Sequence, residues 1–244
     1  MRTIITIEAR MRSTRLPGKV LKPLLGEPML ARMIERLRRS RRSDGIVVAT
    51  TDHMADDPIA AVAAGLGVPC FRGSEDDVLG RVLGAARSVG AELIVETTGD
   101  CPLIDPGVID QLIATFHANQ VDYCANVLAP TYPRGLDAQV FPFRVLEEVA
   151  ALTKDPADRE HVSLYIYEHP ARYRLLTLAS GLPDEVGAWR LTVDTPEDFG
   201  LVETIYAELY PGNPAFELRD IVELFGRRPE LAHINQHVRQ KAAR

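Results

Sequence analysis

The chain is poor in cysteine, in aromatic residues and in long apolar runs. Its three cysteines, Cys70, Cys101 and Cys124, stand far apart among 244 residues with no C-x-x-C pair. That spacing argues against a disulfide framework or a zinc cluster and predicts reduced, buried thiols. No apolar run approaches the ~20 residues of a membrane-spanning helix, and the apolar segment of MRTIITIEAR is too short for a signal peptide. The sequence therefore predicts a cytoplasmic protein with no membrane partner. Aromatics make up 6% of residues, and none is interleaved with Arg36, Arg38, Arg39, Arg41 and Arg42 to stack on bases. With a net charge of −6, nucleic acid is not an expected partner. Several signatures are missing as well. Gly18-Lys19 is followed by Val20 and lacks the upstream glycine of a Walker A loop, and Gly65 and Gly67 lack the third glycine of a dinucleotide fingerprint. No nucleophile elbow supports a serine hydrolase.

What is present suffices for a full core: hydrophobic residues are 46% of the chain. Short β-rich runs alternate with amphipathic stretches, which predicts a mostly parallel α/β sheet with helices on both faces. Ile4 to Ile7, Ile46 to Ala49, Val68 to Phe71 and Leu93 to Val95 read as buried strands. Met29, Met33, Ile34 and Leu37 recur at helical spacing, as do Val78 to Ala86 and Val108 to Phe116, the last with Pro106 at its first turn. After about residue 120 the alternation loosens. Strand-like pieces at 121–124 and 139–141, helical pieces at 145–152 and 161–168, and a returning strand at 189–193 predict a small acceptor-side lobe. Helices over 197–209 and from 216 onward follow. No repeat or linker interrupts the chain, so residues 1–244 are expected to form a single domain.

Charge is uneven. Residues 1–42 carry a net +9 and the remainder −15. Arg36 to Arg42 fit the C-terminal end of a helix, where cations complement the dipole. Arg10, Arg12, Arg15 and Lys19 instead crowd the Pro/Gly-broken loop EARMRSTRLPGKV directly after a strand. Two readings stand at this point, a solvated surface loop or a cradle for phosphates leading into a helix. Two carboxylates also follow apolar strands. Asp100 lies in TGDCPLIDP, where Gly99 permits a sharp turn at the carboxyl edge of the sheet, and Asp194 lies in LTVDTPEDF. Asp194 reads either as a helix N-cap or as a ligand to a cation.

These motifs together resemble the sugar-acid cytidylyltransferases, which activate Kdo and sialic acids with CTP, and in particular their spore-coat polysaccharide branch. Arg10 and Ser13 to Lys19 match the loop that wraps the nucleotide triphosphate in that family. Two departures are visible: Glu8 stands where relatives often carry Pro, and Thr98 where the Kdo branch often has Gln. The resemblance implies a nucleotide-diphospho-sugar transferase fold of the GT-A or Rossmann-like kind, CTP as substrate, Mg2+ as cofactor and a possible homodimer. It implies nucleotide contacts from Ala9, Arg10, Ser13, Arg15, Lys19, Arg72, Thr98 and Asp100, and metal ligation by Asp100 and Asp194. Arg10, Lys19, Asp100 and Asp194 carry the catalytic roles. In nucleotidyl transfer an anionic acceptor meets an anionic donor, so opposed carboxylate-held metal and cations answer the central problem of charge.

The segments FRGSEDDVLGR, PRGLD and DREHVSLYIYEH match the spore-coat branch more than the Kdo branch and extend the resemblance over most of residues 3–210. Arg134, Asp137, Gln139, Arg159, Glu160 and His161 are the expected acceptor contacts, because acidic, polyhydroxylated sugars need cations and hydrogen-bond acceptors together. Surface turns and a helix N-terminus account for the same residues without a ligand. Asp77 reads best as a helix cap. The expected function is CMP transfer from CTP to a sugar acid or related polyol for surface-polysaccharide biosynthesis. The alternative is a GT-A-like glycosyltransferase that consumes a nucleotide sugar. Such enzymes normally carry Asp-x-Asp, which Gly99-Asp100-Cys101 does not provide.

Overall fold

Strand β1 (Thr3–Glu8) is buried along nearly its whole length, with Ile5 and Ile7 on one face and Ile4 on the other. Such a two-sided strand belongs in the middle of a parallel sheet covered on both faces. The computed structural model, which describes residues 1–129 and 131–240, places it there. β1 pairs in parallel with β4 (Gly45–Thr51) on one side and β6 (Leu93–Thr98) on the other, and β4 with β5 (Cys70–Gly73). β8 (Gln139–Pro142) runs antiparallel to β6, and β7 (Tyr123–Ala125) and β9 (Leu175–Thr177) complete a seven-stranded sheet in the order β5-β4-β1-β6-β8-β7-β9. One face is covered by α1 (Met29–Leu37), α2 (Asp57–Gly65), α4 (Pro106–Ala118), α9 (Pro196–Leu209) and α10 (Leu218–Arg227). The other carries α3 (Val78–Ser88) and α5 (Phe143–Leu152). No helix among the described residues is long and apolar enough to cross a membrane.

The predicted strands of the first half hold, with β5 beginning at Cys70 rather than Val68 and β6 running to Thr98. Pro106 opens α4 behind the Asp105 cap, as its sequence signal requires. Three expectations are corrected. The cationic loop does not lead straight into a helix, because a 3-10 turn (Lys19–Leu21) and a two-stranded hairpin, β2 (Pro23–Leu24) with β3 (Glu27–Pro28), precede α1. The stretch 189–193 is not a sheet strand. Arg134 and Leu191 exchange backbone bonds with residues of each other's segments, and Val193 N–H donates to Asp100 O, so this chain ties loops together. The helix expected over 161–168 is shortened to α7 (Leu164–Glu168), and a separate short helix, α6 (Pro156–Glu160), precedes it, leaving His161 between the two.

Arg36 also departs from its expected surface place. It is 2% exposed, stacks over Phe216 and donates to the carbonyls of Ile104 and Leu103. It fastens α1 to the segment after Asp100 rather than decorating a helix end.

Candidate active site

β1 has neighbours entering from opposite sides, so the carboxyl ends of β1 and β6 form the topological switch point where open α/β sheets bind ligands. The cationic loop leaves β1 there and is held in a closed curve. Met11 N–H donates to Asp56 Oδ1 (2.7 Å), and Gly18 N–H donates back to Met11 O (2.8 Å). Gly18 sits at φ 72°, a left-handed conformation that explains the glycine. At the end of β6, Gly99 N–H donates to Glu8 O at 2.7 Å, and any Cβ at residue 99 would lie 2.7 Å from that same oxygen. Only glycine lets the Asp100 turn approach β1 so closely.

Asp100 and Asp194, 94 residues apart in sequence, meet at one point. Lys19 Nζ donates to Asp100 Oδ2 (3.1 Å), Asp194 Oδ1 (2.9 Å) and the carbonyl of Val193 (2.7 Å). Burial opposes the Lys19 ammonium, but the charges of Asp100 and Asp194 overcome it and hold its pKa above the ordinary lysine value. For Asp194 burial likewise opposes ionisation, and the Lys19 charge and hydrogen bond, joined by Arg15 and Arg190, outweigh it and hold the carboxyl below its usual range. The helix-cap reading of Asp194 fails on geometry. Thr195 is the N-cap of α9, forming a capping box with Asp198, while Asp194 points inward to Lys19, Arg15 (2.9 Å) and Arg190 (2.6 Å).

The framework behind Asp194 had no sequence signal beyond charges flanking an apolar run. Arg190 and Asp198 are 8% and 0% exposed. Arg190 Nε donates to Asp198 Oδ1 (2.9 Å), Asn235 Nδ2 donates to the same oxygen (2.8 Å), and Asp198 Oδ2 accepts from the Asp194 and Thr195 N–H groups. Asp100 is oriented by Thr98 Oγ1 (2.6 Å).

Two clefts open here. A cleft of about 310 Å3 is bounded by Ala9, Arg10, Ser13, Arg15, Lys19 and Arg81. A larger one of about 740 Å3 reaches Arg134, Asp137, Gln139 and Ser163. Glu8, Thr98, Asp100, Glu160, His161 and Asp194 line both. Most residues expected from sequence therefore converge, but two stand apart. Arg72 donates to Thr51 O, His53 O and Asp57, at the end of β4. Arg159 donates to Asp77 (2.7 Å) and Ala150 O. Asp77 is the N-cap of α3, as its position before that helix indicated. Gln139 Oε1 accepts from both Tyr123 and Ser163. Arg134 lies 3.9 Å from Asp137, whose pKa burial raises despite that charge.

Sequence reasoning missed the carboxylate pair Glu8–Glu96. In the β1–β6 register Thr6 stands opposite Glu96 and Glu8 opposite Thr98, which puts both acids on the same face. Glu8 Oε1 and Glu96 Oε2 are buried and accept no N–H or O–H from the described residues. The two side chains lie close enough to hydrogen-bond to each other. Burial, reinforced by the Glu8 charge, pushes Glu96 well above the carboxylate range. Burial also raises Glu8 to about 7, against the hydrogen bond from Glu96 and the charge of Arg81. The available signal was a glutamate closing the apolar run of a two-sided buried strand. The native state thus binds more protons than the unfolded chain. This contribution to stability is complete below pH about 4.5 and is lost as pH rises through about 7. Thermal unfolding followed from pH 5.5 to 8 should show the melting temperature falling across that window, and Glu8→Gln should flatten the fall. An equally steep fall in the variant would assign it elsewhere.

A cationic loop facing two carboxylates at the switch point of a parallel sheet defines a nucleotidyltransferase. The chain belongs to the cytidylyltransferase family, whose model matches residues 4–215. It is therefore a CTP-dependent enzyme that transfers a cytidylyl group with release of pyrophosphate. It is 36% identical to an uncharacterized protein of Methanocaldococcus jannaschii, covering 100% of this chain and 98% of the other. To the spore coat polysaccharide biosynthesis protein SpsF of Bacillus subtilis it is 33% identical, over 94% and 96% of the two chains. The structure of a cytidylyltransferase from Leptospira borgpetersenii superposes with a TM-score of 0.90 at 32% identity, covering 99% and 100%.

Proposed function

We propose that the protein transfers CMP from Mg2+-bound CTP to a hydroxyl of a sugar acid or related polyol destined for a surface polysaccharide. The observation that carries this reading is the meeting of Lys19 with Asp100 and Asp194 opposite Arg10 and Arg15. Two hard oxygen donors converging on one cation suit a divalent ion that takes its other ligands from phosphates and water. Among the described residues no group of three or more His, Cys, Asp or Glu forms a cage that would bind metal alone. Asp100 and Asp194 would hold the ion, which supplies neutralisation of phosphate charge when bound.

The chain's own residues do the rest. Arg15, 38% exposed, can exchange its bond to Asp194 for a phosphate, and Arg10 its weaker 3.7 Å pairing with Glu75. Lys19 stays fixed by carboxylates and stabilises charge growing on the departing pyrophosphate. Ala9, Ser13 and Thr98 border the nucleotide side. Arg134, Asp137, Gln139, Glu160 and His161 border the acceptor side. Arg72 and Arg159 are kept in structural roles by the partners described above. The reading treats residues 1–244 as one cytidylyltransferase domain acting in the cytoplasm, and the expected homodimer is open to sedimentation measurements. The relationship to SpsF supports polysaccharide synthesis as the setting.

Pyrophosphate release with CTP and a panel of surface-polysaccharide sugars and polyols tests the reading. Release should require both an acceptor and a divalent metal, and CMP should appear attached to the acceptor. Turnover of a nucleotide sugar without pyrophosphate release would instead favour glycosyl transfer.

A further inference from the structure

The last described residues of the chain return to the active site. After α10 and a 3-10 turn (Pro229–His233) the backbone is no longer helical, and Gln240 comes to line both the nucleotide-side and the acceptor-side cleft, as Asp194 does. Two side chains tie this segment down. Asn235 is 1% exposed, and its Nδ2 divides its two hydrogens between Arg190 O (2.9 Å) and Asp198 Oδ1 (2.8 Å). Gln240 Oε1 accepts from Arg190 Nη1 at 2.7 Å.

Both contacts converge on the residue that aims Asp194. Each nitrogen of the Arg190 guanidinium has an acceptor: Nε donates to Asp198 Oδ1, Nη2 to Asp198 Oδ2 (3.1 Å) and Asp194 Oδ2 (2.6 Å), and Nη1 to Gln240. A planar fork bonded on every edge is fixed in orientation as well as in place. The two oxygens of Asp194 are thereby given different tasks. Oδ2 is pinned by Arg190, while Oδ1 faces Lys19 and Arg15, and Lys19 also reaches Asp100. Asp194 and Asp198 belong to one turn, so the fixed points that Arg190 finds outside that turn come from Asn235 and Gln240. We infer that residues 235–240 belong to the active site, with Asn235 and Gln240 as positioning residues that hold Arg190 and through it keep Asp194 Oδ1 turned toward the metal. The inference rests on the reading of Asp194 as a metal ligand and extends it to the groups behind that ligand. Such groups change metal affinity by about 10- to 100-fold without touching the ion.

The test uses the full chain and calorimetric titration with CTP, once in EDTA and once in saturating Mg2+. The ratio of the two dissociation constants measures how far the metal tightens nucleotide binding. Gln240→Ala should shrink that ratio by about 10-fold while leaving CTP affinity in EDTA unchanged, because the tail acts on the metal ligand and not on the nucleotide. Gln240→Glu keeps an oxygen within reach of Arg190 and should restore most of the ratio. Asn235→Ala should shrink the ratio as well and also lower the melting temperature, since Arg190 O and Asp198 Oδ1 lose a buried donor. Gln240 is exposed, so its variants are expected to fold and decide the matter even where Asn235→Ala does not. A wild-type ratio in Gln240→Ala, or a Gln240→Glu protein as impaired as Gln240→Ala, overturns the inference. Wild-type protein that binds CTP equally well in EDTA and in Mg2+ instead sinks the metal-ligand reading of Asp194 on which it stands.

Discussion

Asp194→Asn should reduce turnover by at least ~100- to 1,000-fold, the scale seen when one group stabilising transition-state charge is removed. It should also destabilise the fold. The Asp194 side chain is 7% exposed and faces Lys19, Arg15 and Arg190, so neutralising it leaves buried cations undercompensated, at a typical cost of about 3–5 kcal/mol. Asp100→Asn should lose similar activity but less stability, since its side chain is 24% exposed and faces one ammonium. Denaturant unfolding read beside metal-dependent pyrophosphate release separates the two effects. The double variant should be scarcely slower than either single one, because groups that act as a unit are not additive. Near-normal turnover by folded Asp194→Asn would reduce the residue to a support for Lys19.

The expected difference between the two aspartates follows from features that sequence exposes unevenly. Periodicity was enough to find β1, β4 and β6, because parallel strands buried on both faces read as short continuous apolar runs. It failed at 189–193, where the same apolar signal marks burial without saying what the backbone pairs with. There the partners are loops, Arg134 and Asp100, rather than a neighbouring strand. Arg36 shows the complementary failure: a cation within a basic run is indistinguishable in sequence from its solvated neighbours until a ring and two carbonyls enclose it.

The site was legible wherever a motif concentrates it. The loop from Arg10 to Lys19 and the turn at Gly99-Asp100 were both found, and the Thr195/Asp198 capping box explains why Asp194 is not the cap. Glu8 and Glu96 were not found, because their proximity depends on the register of two strands some ninety residues apart. Arg72 and Arg159 carried the right chemistry in matching segments but face other partners. Motif identity gives residue type and approximate place, while the direction of a long side chain is decided by which anion or carbonyl stands nearest.

CTP should stabilise the protein more than ATP or GTP, with Lys19 contributing through the phosphates. At ~100 times its dissociation constant, Mg2+–CTP adds roughly 2.7 kcal/mol to native stability. For a chain of this size that is a melting shift of about 5–10 °C, at roughly 2–4 °C per kcal/mol. The purines share the triphosphate, so any preference must arise where the base lies, in the cleft of about 310 Å3 beside β1. Lys19→Ala will lower the melting temperature of the free protein, because it leaves Asp100 and Asp194 facing each other without their shared ammonium. The informative quantity is therefore the shift on adding nucleotide, measured separately for each variant. That shift should shrink for CTP and change much less for CMP, which lacks the β- and γ-phosphates assigned to this cation. Equal shifts with CTP and ATP would remove the base preference, and a loss as large for CMP as for CTP would remove Lys19 from the triphosphate site.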